Sequence, residues 1–222
     1  MVALRCRRPP CGWFGTGKSL SLVRPHLELP VQPVTLHTER LRLEPFEEKH
    51  LDGLNAMNSL PEVMRFVGGH TESREQTAAV IARVKRAWAA WGTSWWALIE
   101  TSSGRVAGAG CIQHLRRDAA PPEDLESLKA NPLEIGWRLH PDFWRQGLAS
   151  EAARCMTAFA FDRFPIQELL AVRHPENLDS GRVMDRLGMH PRGLEPWYGT
   201  TVATHVITRA EWRHRLHAAG EA

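Results

Sequence analysis

The residues best suited to chemistry in this chain lie between Glu134 and Glu151, in the sequence EIGWRLHPDFWRQGLASE. The first half alternates apolar and polar positions, which is typical of a strand with one buried face. The polar face carries Glu134, Gly136, Arg138 and His140. A carboxylate on such a face can accept a proton from a substrate, and a glycine lets a ligand approach the backbone. We therefore expect a polar cleft along this strand.

The second half of the stretch predicts an anion-binding turn. After Pro141, the run from Arg145 to Ser150 (RQGLAS) leads into a predicted helix. The first N–H groups of a helix lack intrahelical acceptors and the helix dipole favours negative charge there, so a diphosphate would fit. The same residues are equally compatible with a tight turn that only joins a strand to a buried helix.

The composition limits the classes of protein to consider. The chain has 222 residues, 43% hydrophobic and 24% charged, as expected for one globular domain. The net charge of +3 comes from residues 1–34, which carry five Lys or Arg and one acid, whereas residues 35–222 carry 23 basic and 24 acidic residues. The nearly neutral body argues against a nucleic-acid partner, and no apolar run is long enough to span a membrane.

The cysteines give information about metals and location. They are Cys6, Cys11, Cys111 and Cys155, with no CxxC pair and no histidine-spaced cluster. They therefore predict neither a metal site nor a secreted disulfide framework, and a reducing cytoplasm is the expected location.

Residues 1–34 predict a poorly structured N-terminal extension. They contain a literal match to the Walker A pattern, Gly12 to Ser19 (GWFGTGKS), which in a nucleotide-binding enzyme would place Lys18 on the phosphates. The context disfavours that interpretation, because Pro9 and Pro10 occupy the place of the strand that must precede the pattern. The alternative is a tail without a nucleotide site.

The remaining chain predicts one domain over residues 35–217, followed by a tail at 218–222. We expect a strand in LHTERLRLEPF, short helices after it, and a longer helix capped by Ser73 with Gln76 and ended by Gly92. A hairpin joins SWWALIE to RVAGAGCIQHL. After the central stretch we expect a helix in SEAARCMTAFAFDRF, a strand in ELLAVRH, a helix ended by Gly188, an alternating edge strand and a short polar helix.

Two clusters allow both structural and functional interpretations. Four tryptophans lie between residues 88 and 96, where core packing competes with a role for Trp95 or Trp96 in lining a cleft. The segment 116–132 is expected to be a loop between strands, and it contains the acids Glu123, Asp124 and Glu126. Such acids usually form a solvated face, and the alternative is that they attract a cationic acceptor.

Two motifs together resemble a known family. WRLHPDFWRQGLASEAARCM, followed after a strand by PENLDSGRVMDRLGM, is similar to the acetyl-CoA-binding core of the GNAT acetyltransferases, specifically the RimJ/RimL branch that acetylates protein N-terminal amines. TERLRLEPF and HVITRAEW also resemble that branch, so the resemblance covers about residues 35–215. It implies an α/β (α+β) fold with a mixed, mostly antiparallel central sheet of about six to seven strands flanked by helices.

The resemblance also implies a binding mode for acetyl-CoA as co-substrate. The diphosphate would lie on the backbone amides of Arg145, Gln146, Gly147, Leu148, Ala149 and Ser150, and the pantetheine arm would pair with the strand edge at Trp137, Leu139 and His140. Arg145 stands where that branch usually has glycine, so a positive φ there would be strained. Asn177 matches a cofactor-contacting asparagine of the family, with a plain turn residue as the alternative.

Catalytic roles follow from the same resemblance. Glu134 matches the family's glutamate and is the expected base, with an ion pair to Arg138 as the structural alternative. His140 is the second candidate base because its unperturbed pKa lies near neutrality. The proton donor to the leaving thiolate is expected to be Ser180, which is also a candidate helix N-cap. Many relatives use a tyrosine at the position of Met184, and the only tyrosine of this chain is Tyr198.

Two functions from different classes remain open from the sequence. The first is an N-acetyltransferase that transfers acetyl from acetyl-CoA to an amine-bearing acceptor, either a protein N-terminus or a small molecule, by direct attack in a ternary complex. The second is a GNAT-fold module that binds acyl-CoA as a sensor or scaffold without useful turnover. The missing tyrosine keeps the second possibility open, and Glu134 argues for the first.

Overall fold

The computed structural model describes residues 32–120 and 124–220. The Walker A match, most of the predicted N-terminal extension and Glu123 lie outside the described residues. None of the helices in the described part is long and apolar enough to cross a membrane.

The centre of the molecule is one eight-stranded sheet with the strand order β1-β2-β3-β4-β5-β6-β8-β7. All neighbouring strands are antiparallel except β5 and β6, which confirms the mixed, mostly antiparallel sheet. The strands are β1 Leu36–His37, β2 Leu41–Pro45, β3 Trp95–Glu100, β4 Val106–His114, β5 Leu133–Leu139, β6 Glu168–Arg173, β7 His190–Trp197 and β8 Thr200–Thr208.

The sheet has more strands than the predicted six to seven, partly because no strand was predicted at β7. β7 contains Pro191 and Pro196, which cannot donate to a strand ladder and therefore disfavour a strand in sequence reasoning. Its position at the edge of the sheet removes the conflict, because one side of an edge strand needs no partner.

Within residues 32–120 and 124–220, six α-helices flank the sheet, and local sequence signals fix several of their ends. They are α1 Leu51–Asn58, α2 Pro61–Met64, α3 Arg74–Trp91, α4 Leu148–Arg163, α5 Leu178–Leu187 and α6 Arg209–Ala219. Ser73 and Gln76 form the predicted capping box of α3, and Gly92 ends that helix with φ of 70°. Gly188 ends α5 in the same left-handed conformation, also as predicted.

The two faces of the sheet have different partners. On one face α4 approaches closely, since a Cβ added to Gly110 would lie 2.7 Å from Cε of Met156. Trp137 pairs with Gly110 across β4 and β5, so it shares the face covered by α4. Glu134 and Arg138 alternate with Trp137 and therefore point to the opposite face, towards α1 and α3.

The parallel strands β5 and β6 separate almost as soon as they meet. Their only paired position in the described structure is Glu134 with Leu170, although β5 continues to Leu139 and β6 to Arg173. The main-chain edge of β5 beyond Glu134 is therefore left without a strand partner. This opening between the two strands is a place where an extended ligand can pair with the sheet.

Candidate active site

Glu134 lies at the point where β5 and β6 separate, and its side chain is buried in a polar setting. Only 5% of the residue is exposed. Its Oε1 accepts hydrogen bonds from Nε2 of Gln113, at 2.9 Å, and from the hydroxyl of Tyr198. Burial raises the pKa of Glu134 above its usual range, opposed by these two hydrogen bonds and by the positive charge of Arg116. A carboxylate with a raised pKa is a better proton acceptor than an exposed one.

A chain of hydrogen bonds crosses three strands to reach this carboxylate. Nε1 of Trp95 on β3 donates to Oε1 of Gln113 at 2.9 Å, and Gln113 on β4 donates in turn to Glu134 on β5. Gln113 and Glu134 are directly paired in the antiparallel register. Trp95 is therefore part of the cleft, whereas Trp88 and Trp96 are core residues packed edge to face at 4.9 Å.

Tyr198 reaches Glu134 from the turn that joins β7 to β8. It follows β7, and its backbone N–H donates to the carbonyl of Arg116 at 2.9 Å. The next N–H, from Gly199, donates to the carbonyl of Arg117 at 2.7 Å. Tyr198 adopts a left-handed φ of 57°, which is uncommon for a bulky residue. The only sequence signal was that it is the single tyrosine, because no local spacing links positions 134 and 198.

Arg138 does not pair with Glu134. The alternative interpretation of Glu134, as one half of an ion pair with Arg138, is therefore wrong. Among the described residues, the hydrogen bond of Arg138 runs from Nε to Oδ1 of Asn58, at 3.1 Å. Its guanidinium also lies over the ring of Trp95, with Cζ 4.5 Å from the centroid. The two side chains share a face, but each has other partners.

The space above Gly136 is smaller than expected. A Cβ at this position would meet Sγ of Cys111 at 3.1 Å, because Cys111 is the direct partner of Gly136 across β4 and β5. Cys111 is buried, and burial with the nearby Glu134 charge raises the pKa of its thiol. The glycine therefore accommodates a buried, unreactive sulfur on one side.

Within the described structure, the backbone amides of the predicted anion cradle are unpaired at the start of α4. Gly147 is the N-cap residue, with φ of 80°, and no described residue accepts a hydrogen bond from the backbone amides of Arg145 to Ser150. Arg145 is exposed and has φ of 60°, the left-handed conformation that a glycine would adopt without cost. The backbone at Arg145 is therefore strained, because a residue with a Cβ disfavours this conformation.

Arg40, in the turn between β1 and β2, holds the loop before α4 in place. Its Nη1 donates to the carbonyl of Gln146 at 2.9 Å, and its Nε donates to Glu151 in the first turn of α4 at 2.7 Å. The hydroxyl of Thr38 donates to the same carboxylate at 2.6 Å. These contacts hold the loop and neutralise the acid in the first turn of α4, next to the predicted anion site.

The free edge of β5 is narrower than predicted. The N–H of His140 donates to the carbonyl of Ala107 and its carbonyl accepts from Phe143, each at 2.9 Å, so its main chain is not available to a pantetheine arm. Because the bonding direction alternates along an antiparallel strand, Trp137 and Leu139 face the open side. The carbonyl of Leu139 already accepts from Nε1 of Trp144 at 2.8 Å.

His140 is also poorly placed to act as a base at the cleft. It is six residues along β5 from Glu134, which corresponds to about 20 Å. Its Nδ1 accepts from the N–H of Asp142 at 3.2 Å and caps the short 3-10 turn Pro141–Phe143. This histidine therefore belongs with the cradle end of the strand.

Asn177 and Ser180 lie at the start of α5, and the N-cap is Asn177 where Ser180 was the candidate. Asn177 is the N-cap, since its Oδ1 accepts from the N–H of Ser180 at 3.2 Å. Ser180 is the third residue of the helix and not its cap, which corrects the structural alternative for its hydroxyl. Met184, at the position of the family's tyrosine, is 2% exposed and packs in the core.

This geometry combines a buried carboxylate, an open strand edge and an amide-rich helix start along one strand. A protein-family model described as "Acetyltransferase (GNAT) domain" matches residues 40–190, which is more than half of the chain. The chain belongs to the GNAT acetyltransferase family. As a member of that family it is an acyltransferase enzyme, and GNAT enzymes generally use acetyl-CoA as donor and amine-bearing molecules as acceptors.

Individual GNAT relatives are distant. The chain is 28% identical over 196 residues to the FsC-acetyl coenzyme A-N(2)-transacetylase of Aspergillus fumigatus, covering 84% of this chain and 80% of that protein. It is 24% identical over 178 residues to an uncharacterized N-acetyltransferase, YoaA, of Bacillus subtilis, covering 78% and 94%. A GNAT-family acetyltransferase structure from Bacillus anthracis has a TM-score of 0.62 at 23% identity, covering 80% of this chain and all of that one. An acetyltransferase structure from Agrobacterium tumefaciens str. C58 has a TM-score of 0.66 at 22% identity, covering 80% and 96%.

The GNAT chain has groups that suit two parts of acetyl-CoA, the diphosphate and the pantetheine arm. The amides of Arg145 to Ser150 suit a diphosphate, and the unpaired edge of β5 at Trp137 suits an extended amide-containing arm. The two features lie in the order that such a donor needs, with Glu134 at the opposite end of the strand from the cradle.

Proposed function

We propose that this enzyme transfers the acetyl group of acetyl-CoA to a primary amine, by direct attack in a ternary complex, with Glu134 as the base. The observation that carries the proposal is the position of Glu134, a buried carboxyl at the point where β5 and β6 separate. A donor paired with the edge of β5 would present its thioester beside this carboxyl. Its raised pKa suits the removal of a proton from an ammonium group.

The proposed reaction balances within the site. The acceptor ammonium gives one proton to the Glu134 carboxylate, and the resulting amine attacks the thioester carbonyl carbon. A C–N bond forms and the C–S bond breaks, so the electron pair of that bond leaves on sulfur. After the attack the nitrogen still carries one proton more than an amide, and it releases that proton to solvent. The thiolate takes a proton from the Ser180 hydroxyl, which recovers one from solvent, and Glu134 releases its proton to solvent.

The remaining assignments are part of the same proposal. Binding of acetyl-CoA falls to the backbone amides from Arg145 to Ser150, the β5 edge at Trp137 and Leu139, and the start of α5 at Asn177. The end motifs favour the RimJ/RimL branch, with residues 35–217 as the catalytic domain. The cysteine pattern favours a cytoplasmic location.

The test is amine-dependent release of coenzyme A thiol, measured over a panel of small amines and peptides with free N-termini. For an acceptor that the wild type uses, Glu134→Gln is expected to lower kcat by about 100-fold or more, the usual contribution of a general base. Its affinity for acetyl-CoA should stay within about twofold, since the carboxyl does not lie at the cradle. Unchanged release in Glu134→Gln would remove this residue as the base.

Two controls make the result specific. Asp162→Asn neutralises an exposed acid on α4, on the other side of the sheet, and should leave release unchanged. If the wild-type protein binds acetyl-CoA but releases no thiol with any acceptor of the panel, the result would instead favour the sensor or scaffold function. The core position of Met184 is the observation that favours that outcome.

A further inference from the structure

Three arginines from different elements surround the cleft in front of Glu134. Arg116, just after β4, lies over the ring of Tyr198 with Cζ 4.5 Å from the centroid, and the hydroxyl of that tyrosine donates to Glu134. Arg138 on β5 lies over Trp95, the first residue of the hydrogen-bond chain that leads to Glu134. Arg83 comes from α3, and its charge interacts with those of Arg116 and Arg138.

The guanidinium of Arg138 is held in place, but most of its hydrogen-bond donors have no partner among the described residues. The ring of Trp95 and the bond from Nε to Asn58 fix the plane of the guanidinium. Its two terminal nitrogens have no hydrogen-bond partner among the described residues, and neither of them is a buried orphan. They are therefore open to the cleft, with four N–H donors available in a fixed orientation.

Arg83 has even fewer partners. It is half-buried on α3 and makes no hydrogen bond or ion pair with the residues that the structure describes. Burial lowers the pKa of Arg83, and the positive charge of Arg116 lowers it further. Burial also lowers the pKa of Arg138, with a contribution from Arg83. The positive charge of Arg83 thus opposes that of Arg116 and that of Arg138.

The acids nearby do not cancel this charge. Glu72 accepts hydrogen bonds from Nδ2 of Asn58 at 2.9 Å and from the hydroxyl of Thr77 at 3.2 Å. Its charge reaches Arg138 through the amide of Asn58 and not through a direct ion pair. Glu134, the second acid, is the proposed base and must carry a proton during part of the reaction. Three cations therefore face at most two anions.

We infer that the acceptor is a small amine that also carries an anionic group, a carboxylate or a phosphate, which Arg83 and Arg138 bind while the amine faces Glu134. This inference rests on the proposed function and adds the class of acceptor. Guanidinium groups bind carboxylate and phosphate in pairs of parallel hydrogen bonds, so two open forks on one cleft match such a group. An incoming anion also offsets the excess positive charge that is otherwise desolvated there.

The same arrangement disfavours a purely cationic acceptor. Such a molecule would be repelled by three arginines before its amine reached Glu134. The acids of the 116–132 loop do not compensate within the described residues. Asp124 caps the N–H of Glu126 at 2.9 Å, and Glu126 pairs with Lys129 at 2.8 Å. The interpretation that this loop attracts a cationic acceptor is therefore less well supported than an anionic acceptor.

The inference is tested by binding, so that it does not depend on turnover. Calorimetric titrations in the presence of coenzyme A compare amines that differ only in the anionic group. The pairs are free amino acids against their carboxamides, phosphoethanolamine against ethanolamine, and the dipeptide amides Glu-Ala and Gln-Ala. We expect the anionic member of at least one pair to bind about tenfold more tightly or better, and the pair concerned identifies the source of the charge.

Arginine variants then locate the preference. Arg83→Gln and Arg138→Gln should each reduce the anionic-to-neutral affinity ratio by about tenfold, while leaving the affinity for acetyl-CoA unchanged. Arg213→Gln, which removes an exposed charge from α6, should leave the ratio as it is. Arg138→Gln could be unstable because its contact with the Trp95 ring is lost. In that case the affinity ratio of Arg83→Gln alone tests the inference, since Arg83 packs on no aromatic ring among the described residues.

The outcomes separate the two proposals. Equal or weaker binding of every anionic member, or a ratio that survives both arginine variants, overturns the anionic acceptor. Failure of thiol release with acceptors that bind in the predicted way leaves the anionic site in place and overturns the proposed catalysis instead. A preference that disappears equally in Arg213→Gln would reflect the overall charge and also overturn the site.

Discussion

The hydroxyl of Tyr198 donates to the carboxylate of Glu134, although the two residues are 64 positions apart in the chain. The contact exists because the turn after β7 bonds to the backbone of Arg116 and Arg117, which lie just beyond β4. Tyr198 and Gln113 both stabilise the charged form of a carboxyl that burial disfavours. The balance between burial and these donors sets the pH at which Glu134 becomes a base.

Tyr198→Phe is therefore expected to move the acidic limb of the kcat/KM profile to higher pH. Removal of the hydroxyl takes away one of the bonds that lower the pKa of Glu134, so the pKa rises further. Gln113→Leu should move the limb in the same direction. The check is the pH dependence of thiol release in both variants. An unmoved limb, with release intact, would show that Glu134 does not control it.

Glu134→Gln should raise stability at neutral pH even as it removes activity. The folded-state pKa of Glu134 is raised, so its contribution to stability is full below about pH 4.5 and is lost as pH rises through the folded-state pKa. A neutral glutamine avoids that loss. Thermal unfolding at pH 7.5 and pH 4 should show a gain only at the higher pH. A gain at both would point to packing instead of charge.

Arg145→Gly should stabilise the protein, because it relieves the left-handed φ of 60°. The expected gain is about 1 kcal/mol, or about 2–4 °C in Tm for a chain of this size. Arg145→Ala removes the same charge but retains a Cβ, and it should show no such gain. Comparison of the two variants separates strain from charge. If both bind acetyl-CoA equally but more weakly than wild type, the guanidinium itself contributes to binding.

Arg40→Ala is expected to weaken acetyl-CoA binding about tenfold with little effect on kcat. Arg40 positions the cradle through the carbonyl of Gln146 and the carboxylate of Glu151, and it lies far from Glu134 in the sheet. Without it, the uncompensated Glu151 also repels a diphosphate. Glu151→Gln in the Arg40→Ala background should restore part of the affinity. Direct titration of acetyl-CoA measures both effects, and a loss confined to kcat would contradict the positioning role.

Glu44→Gln should lower stability at neutral pH. Lys49 Nζ lies 2.5 Å from the carboxylate, and hydrogen bonding from Lys49, with help from Arg42 and His50, lowers the pKa of Glu44 to about 2. A lowered pKa contributes stability above about pH 4.5 that is lost as pH falls towards 2, amounting to about 1–3 kcal/mol. Thermal unfolding of the two proteins should therefore converge near pH 2. A constant difference would exclude the charge as its cause.

Local signals in the sequence predicted the elements well where one short segment carries the whole signal. The capping box at Ser73 and Gln76 and the left-handed ends at Gly92 and Gly188 each depend on a few neighbouring residues. The exception was β7, whose prolines disfavour a strand unless it lies at an edge. Edge position is a property of the sheet and is not visible in the segment itself.

The sequence alone determined the family, the polar face of β5, the helix start that follows it, and the position of Arg145 in the cradle. These features depend on strand alternation and on helix-end chemistry, which act over a few residues. Only the tertiary structure decided that Glu134 is bonded to Gln113 and Tyr198, that Cys111 covers Gly136, and that Arg116 and Arg138 lie over the rings of Tyr198 and Trp95. Those contacts depend on strand register and on the docking of distant turns, which no local spacing encodes.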